Sequence, residues 1–207
     1  MAMRLGRIGP VALVALLPAA CGSSSHAPAA TTTISTPPPP PALVAEARPI
    51  GGGPRFQPPA NGPVIGSCDR RLGPRDGAHV EVFAANRVLL IPAGIGTKAP
   101  RGFSAGRISS ARCYGELVTL DPTGLVLVRS GSHPVLADLF RSWGEPLSSR
   151  RLVSFSASGR APVAVFVNGQ RWRGSPGRVP LGRRAEIVLE IGPYVPPHRS
   201  YTFPPGF

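Results

Sequence analysis

The stretch Val163–Gly174, VAVFVNGQRWRG, contains the strongest β-hairpin signal in the chain. Asn168-Gly169 is a residue pair that two-residue hairpin turns prefer, because both turn positions require a positive φ. The residues before the pair, 162–167, predict one strand, and 170–173 predict the strand that returns. Residues 185–191 predict a further strand, so the end of the chain is predicted to be a β-sheet.

An amphipathic helix is predicted upstream of that sheet. Four apolar side chains recur at i, i+3, i+4 and i+7 and form one stripe: Leu136, Leu139, Phe140 and Trp143. Pro134 fits the first turn of the helix, Gly144 fits its end, and Pro146 prevents its continuation. We expect the stripe to pack into the core, with a partner-binding face as the alternative.

Two more hairpins are predicted before the helix. The first joins 78–83, which alternates in polarity, to 88–91. The second joins 116–120 to 125–129 around Asp121-Pro122-Thr123-Gly124, which suits a type I turn because Pro is second and Gly is fourth. Between the hairpins, four glycines predict a long loop: Gly94, Gly96, Gly102 and Gly106.

Two strands, one helix and then more strands, ending in VAVFVNGQRWRGSPGRVPLGRRAEIVLEIG, resemble the β-grasp (ubiquitin-like) fold over 117–191. The resemblance implies a helix packed across a mixed sheet. It would bury Val165, Val167, Ile187 and Leu189 beneath Leu136, Leu139 and Phe140. The predicted fold class is α+β: a single β-rich domain with a mixed sheet and one helix, β-grasp-like in its C-terminal part, preceded by a disordered Pro-rich linker.

The N-terminus has the layout of an export signal. Arg4 and Arg7 supply positive charge, and the apolar run 8–17 is shorter than the roughly 20 residues that span a bilayer. Small residues then lead into Cys21. Residues 1–20 are therefore predicted to be a signal peptide.

The sequence LLPAACGSSS around Cys21 resembles the lipobox of bacterial lipoproteins. That resemblance implies a lipoprotein signal peptide over 1–20, diacylglycerol in thioether linkage on Cys21, and cleavage before it. Pro18 is a departure, since the family usually has an aliphatic residue there. Cleavage near Ala20 by an ordinary signal peptidase, which would leave a soluble secreted protein, is the alternative.

Residues 21–60 are predicted to be a disordered Pro/Ser/Thr/Gly-rich tether. The five prolines at 37–41 favour extended polyproline II, a semi-rigid spacer between lipid and domain. A ligand for another protein domain is the alternative. Residues 61–207 remain for one globular α+β domain.

The chain has three cysteines. If Cys21 carries lipid, Cys68 and Cys113 are left, and two thiols outside the cytoplasm are expected to form a disulfide. A metal pair and free buried thiols are the alternatives. Neither residue lies in a C-x-x-C motif or has a close histidine, so we predict the disulfide.

The formal net charge is +13, from 23 Lys+Arg against 10 Asp+Glu. The arginines are scattered and Lys98 is the single lysine, a composition typical of a GC-rich genome. Export argues against nucleic acid as a partner. Adhesion to anionic headgroups or acidic wall polymers stays open.

Six segments together resemble a family of bacterial secreted proteins and lipoproteins of unestablished function: AHVEVFAANRVLLIPAGIG, CYGELVTLDPTGLVLV, LADLFRSWGEPLS, VFVNGQRWRG, AEIVLEIGPYVPP and YTFPPGF. The resemblance implies histidines on the first strand and a His-x-His-Asp before the second turn. This chain keeps His79 and Asp121, with Val118 and Leu120 in place of the paired histidines.

Few residues suggest chemistry. His79 and Asp121 are the weak metal-ligand candidates, with His133 and His198 behind them, and this donor count predicts no metal site. The chain has no Gly-x-Ser-x-Gly elbow. Its domain glutamates are spread along the sequence without an evident acid–base pair: Glu81, Glu116, Glu145, Glu186 and Glu190. We therefore predict no enzyme and no cofactor.

The segment 194–205 is extended by its prolines, and Tyr201 and Phe203 are expected to fasten it to the domain. An exposed recognition strip is the alternative.

The predicted function is a cell-envelope lipoprotein, a non-catalytic binding or scaffolding module held at the outer face of a membrane by its N-terminal lipid. Its expected partner is an envelope protein or an anionic polymer; a metal- or small-ligand-binding extracytoplasmic protein is the alternative.

Overall fold

The computed structural model describes residues 57–159 and 161–207. The signal peptide predicted over 1–20, the lipidation site Cys21 and most of the predicted tether lie outside the described residues. The strands and the helix follow in this order: β1 (Arg75–Ala84), β2 (Arg87–Leu89), β3 (Thr97–Ser104), β4 (Arg107–Tyr114), β5 (Leu117–Thr119), β6 (Leu125–Arg129), α1 (Leu136–Trp143), β7 (Arg151–Leu152), β8 (Phe155–Ser156), β9 (Ala164–Val167), β10 (Gln170–Arg171) and β11 (Glu186–Ile191).

A seven-stranded mixed sheet forms the centre of the domain, in the order β10-β9-β11-β1-β6-β5, with β2 also paired to β1. β1 and β11 run parallel, and the other neighbours are antiparallel. Over 57–159 and 161–207, α1 is the one α-helix, and a 3-10 turn at Pro176–Arg178 precedes β11. A single β-rich domain with a mixed sheet and one helix is therefore confirmed.

The three predicted hairpins are present as β1–β2, β5–β6 and β9–β10. In the last of these, Asn168 and Gly169 have φ values of 50° and 76°, as their turn requires. The long loop predicted from Gly94 to Gly106 is wrong, because β3 and β4 form another hairpin there. Pro100 and Gly102 lie within β3 and hide its strand character in the sequence.

The helix covers one face of the sheet. Leu136, Leu139, Phe140 and Trp143 are buried, and they pack with Val165, Ile187 and Leu189, while Val167 is partly buried against the same cluster. The stripe is core, as predicted. The Asp138 carboxylate accepts the Val135 N–H at 2.9 Å at the start of the helix. Gly144 ends the helix as predicted, whereas Pro134 lies before the cap residue Val135 rather than in the first turn.

The other face of the sheet carries a second apolar cluster over β5 and β6, formed by Ala93, Ile108, Val118, Leu120, Leu125 and Leu127. Three aromatic residues of the C-terminal segment pack against it: Tyr201, Phe203 and Phe207. Within the described ranges, no helix is long and apolar enough to cross a membrane.

The predicted disulfide between Cys68 and Cys113 is confirmed, with Cα atoms 5.2 Å apart. It joins the segment before β1 to strand β4. Next to it, Asp69 and Tyr114 exchange two backbone hydrogen bonds of 2.9 and 2.8 Å. The bridge therefore fastens the start of the described chain to the β3–β4 hairpin.

Candidate functional site

A polar face lies on the two central strands of the sheet, on the side away from α1. The parallel register places His79 of β1 beside Glu186 of β11, and Glu81 beside Val188. Side chains alternate between the two faces along a strand. Because Val80 packs into the core on the helix side, His79, Glu81 and Glu186 point to the opposite side.

Both ring nitrogens of His79 have partners, and the residue is 5% exposed. Nδ1 lies 2.8 Å from Oε2 of Glu186, and Nε2 lies 2.9 Å from the carbonyl oxygen of Thr123. A carbonyl oxygen can only accept a hydrogen bond, so Nε2 carries a hydrogen. The ring of Tyr201 stacks on the imidazole, with centroids 3.7 Å apart and planes 8° from parallel.

The charge state of His79 depends on opposing effects. Burial lowers its pKa by penalising the imidazolium, whereas the hydrogen bond and charge of Glu186, the Thr123 carbonyl and the charge of Glu81 raise it. The net direction is upward, because an imidazolium between these acceptors is stabilised. The 2.8 Å contact between Nδ1 of His79 and Oε2 of Glu186 places a hydrogen between β1 and β11, at the atoms where another cation could take its place.

The turn at 121–124 lies in close contact with His79. Gly124 has a φ of 82°, and its carbonyl accepts the Val80 N–H at 2.9 Å. A Cβ atom at Gly124 would lie 3.1 Å from Nε2 of His79 and would collide with the carbonyl oxygen of Val80. Glycine is therefore required for the turn to bring the Thr123 carbonyl onto the ring.

The C-terminal segment, residues 192–207, crosses the polar face. His198 donates from Nδ1 to Oε2 of Glu81 at 2.7 Å, and Tyr201 covers His79. Phe203 packs edge-on against Tyr201, with centroids 4.9 Å apart. Tyr201 and Phe203 thus lie against the domain, as predicted.

The cluster has an arrangement that suits a metal ion. One donor atom each from His79, Glu81 and Glu186 lie within 4.8 Å of one another. A cavity of about 90 Å³ opens beside it, lined by His79, Glu81 and the turn residues 122–124 among others.

A second buried acid lies further along β11. Glu190 is 3% exposed, and its Oε1 atom has no hydrogen-bond partner among the described residues. Burial raises its pKa, and a backbone hydrogen bond from Val195 and the charge of Arg171 oppose that rise. Glu190 lies outside the His79 cluster.

Of the weak metal candidates, His79 belongs to this cluster, and His198 borders it through its contact with Glu81. Asp121 opens its turn instead: its carboxylate accepts the Thr123 hydroxyl and lies 3.9 Å from Arg107. His133 lines a different cavity, together with Asp76 and Arg183 among others. Glu81 and Glu186, which are far apart in the sequence, come together at His79 in the structure.

Sequence reasoning missed Glu81, Glu186 and the contact of His198 with Glu81. Glu186 is 107 residues from His79 in the chain, and only the register of β1 on β11 brings them together. One signal was available: His79 and Glu81 stand two residues apart on a predicted strand, and therefore on one face.

No family model, curated protein or solved structure matches this chain. The resemblances to lipoproteins and to the β-grasp fold therefore stay predictions.

Proposed function

We propose that the protein is a lipid-anchored cell-envelope protein whose folded domain is a non-catalytic binding or scaffolding module on the outer face of a membrane. The observation that carries this proposal is the Cys68–Cys113 disulfide. Disulfides persist in oxidising compartments outside the cytoplasm and are rare within it. With both domain cysteines bridged, Cys21 is the thiol left for the lipid.

The anchor follows from Cys21 and from the tether after it. Two acyl chains hold a protein stably on a membrane, whereas one gives marginal binding. The last tether residues meet the domain at β3, where Arg101 donates to the carbonyl oxygen of Pro59 at 3.0 Å and Ala99 N–H to that of Ala60 at 2.9 Å. The tether therefore ends on the domain surface beside the β3–β4 hairpin.

The anchor is tested by intact-mass analysis and fractionation of native protein. We expect a chain that starts at Cys21, carries a diacylglycerol mass and sediments with membranes. The Cys21→Ala variant should be free of lipid and leave the membrane, with its disulfide intact. An unmodified N-terminus upstream of residue 21 together with two free thiols would refute the proposal.

Surface charge supports an anionic partner, either an acidic wall polymer or an envelope protein with an acidic face. Several exposed arginines make no ion pair or side-chain hydrogen bond within the described part of the chain: Arg70, Arg71, Arg112, Arg173 and Arg178. Unneutralised positive charge attracts polyanions at low ionic strength. Nucleic acid is not proposed, because an exported protein does not meet it.

The partner class is tested with the unlipidated Cys21→Ala protein and vesicles rich in anionic phospholipid. Binding should be strongest at low salt and weaker for R70Q/R71Q. The control is R141Q/R183Q, which removes two arginines that already pair with Asp138 and Asp76. Equal binding by both variants, or no binding at low salt, would contradict the role of the unpaired arginines.

A second candidate function, binding of a metal ion or small ligand, is favoured by the convergence of His79, Glu81 and Glu186.

Within the fold class, we also propose that the C-terminal part is β-grasp-like. That proposal is supported by one helix packed across a mixed sheet. The strand that runs parallel to β11 is β1, which precedes residue 117, and an experimental structure compared with ubiquitin-like folds would test the likeness.

A further inference from the structure

We propose that His79, Glu81 and Glu186 form a binding site for one divalent transition-metal ion, with Zn²⁺ as the best match. The inference rests on the binding role proposed for the domain and names its ligand. It departs from the sequence expectation of no metal site, because that expectation did not count Glu81 and Glu186 among the donors.

The donor set has the composition of a zinc site with an open position. Imidazole nitrogen and carboxylate oxygen bind Zn²⁺ at about 2.0–2.2 Å, and three protein ligands leave a fourth position for water. The three donor atoms already lie within 4.8 Å of one another. Tetrahedral binding places donor atoms about 3.4 Å apart. Nδ1 of His79 and Oε2 of Glu186, now 2.8 Å apart, would therefore separate slightly to admit the ion, and the Glu81 carboxylate would complete the set.

The histidine is held in the orientation that a metal ligand needs. Metal-bound histidines usually donate their second ring N–H to a carbonyl or carboxylate oxygen, which fixes the ring. Here Nε2 faces the Thr123 carbonyl at 2.9 Å, and Gly124 allows that close approach. Nδ1 is thereby directed at Glu186, and the ion would replace the proton between them.

An independent observation concerns Glu186. The residue is 1% exposed, and Oε1 has no hydrogen-bond partner in the described part of the chain, although Oε2 of the same carboxylate contacts His79. A buried oxygen without a partner is costly, and a bound cation removes that cost. The backbone of Glu186 is fixed by Asn168, which accepts its N–H at 2.9 Å and donates to its carbonyl at 2.7 Å.

The charges around the cluster favour a cation. In a chain with more than twice as many basic as acidic residues, the ion pairs of Glu81 and Glu186 within the described ranges are with imidazoles, not with guanidinium groups. Imidazoles can release their protons to metal ions, whereas arginine stays charged. Two carboxylates also match the charge of one divalent ion.

A cavity adjoins two of the three proposed ligands. His79 and Glu81 line it, and Glu81 is half-buried at its edge. His198 and Tyr201 cover the cluster from the C-terminal segment. Glu186 does not line this cavity, so an ion that arrives beside the turn 122–124 would meet Glu81 before it reaches Glu186.

The site is tested by calorimetric titration of Zn²⁺ and Mn²⁺ into the full-length, chelator-treated protein. We expect one ion per chain. Replacing a residue that only holds a metal ligand in place weakens metal binding by about 10- to 100-fold. Glu186→Gln removes a direct ligand, so it should weaken binding at least that much. The matched control is Glu190→Gln, an equally buried glutamate on the same strand and face, which should bind like wild type.

The site would be overturned if wild type bound neither ion. It would also be overturned if Glu186→Gln bound as tightly as wild type, or if Glu190→Gln lost as much affinity as Glu186→Gln. If Glu186→Gln does not fold by circular dichroism, the half-buried Glu81→Gln takes its place, with the same expected loss. As a second measurement, Zn²⁺ should shift the ¹⁵N resonance of His79 Nδ1. Lipidated, membrane-bound protein that binds no ion would refute the site alone, whereas soluble, unlipidated protein that binds Zn²⁺ would refute the anchor alone.

Discussion

Removing the Cys68–Cys113 disulfide should lower the free energy of unfolding by about 4 kcal/mol. The two cysteines are separated by 45 residues. Opening a loop of that length restores about 13 cal/mol/K of entropy to the unfolded chain, or about 4 kcal/mol near room temperature. In a domain of this size, 1 kcal/mol corresponds to roughly 2–4 °C in Tm, so Tm should fall by about 8–16 °C.

The assay is thermal unfolding, followed by circular dichroism, of the C68S/C113S variant and of wild type. Cys21→Ser is the matched control, because it removes a cysteine and leaves the bridge intact, and its Tm should equal that of wild type. Thiol titration of unfolded wild type should find one reactive cysteine before lipidation. The reasoning would be refuted if C68S/C113S had the same Tm as wild type, or if unfolded wild type had three reactive thiols.

Three further outcomes are expected. Leu139→Ala, at a fully buried position of α1, should cost about 2–5 kcal/mol in urea unfolding; a smaller loss would mean that the helix is not part of the core. Tyr201→Ala should cost roughly 1 kcal/mol through its lost stacking on His79, whereas Tyr194→Ala, at an exposed position, should cost less. Because the pKa of His79 is raised in the folded state, its pairing stabilises the fold fully below the unfolded value of about 6.5. The stability advantage of wild type over His79→Gln should therefore shrink as pH rises above that value, and an advantage that grows with pH would contradict the upward direction.

Local signals in the sequence predicted most of the fold. The Asn168-Gly169 pair and the stripe from Leu136 to Trp143 act within a few residues, so the β9–β10 hairpin and α1 could be read without tertiary information. The β3–β4 hairpin was missed because Pro100 and Gly102 break the expected strand pattern, and because its turn uses Ala105-Gly106, with φ values of 50° and 77°, rather than Asn-Gly.

The candidate site was harder to predict, for a different physical reason. Glu186 meets His79 only in one register of β1 on β11, and that register is set by packing Val80 and Ile187 under the helix. A shift of one residue would turn the glutamate to the other face. The spacing of residues along the chain does not reveal the register of β1 on β11.

The parallel pairing of β1 with β11 has a consequence for how the chain matures. The first and last strands of the domain are central neighbours, so a chain made from its N-terminus cannot complete the sheet until residue 191 is available. Hairpins and the bridge at Cys68 can form earlier, but none of them buries the core. Contacts so distant in sequence also make folding slow. The nascent polypeptide therefore stays unfolded, in a form that an export channel can accept, until almost all of it has been synthesised.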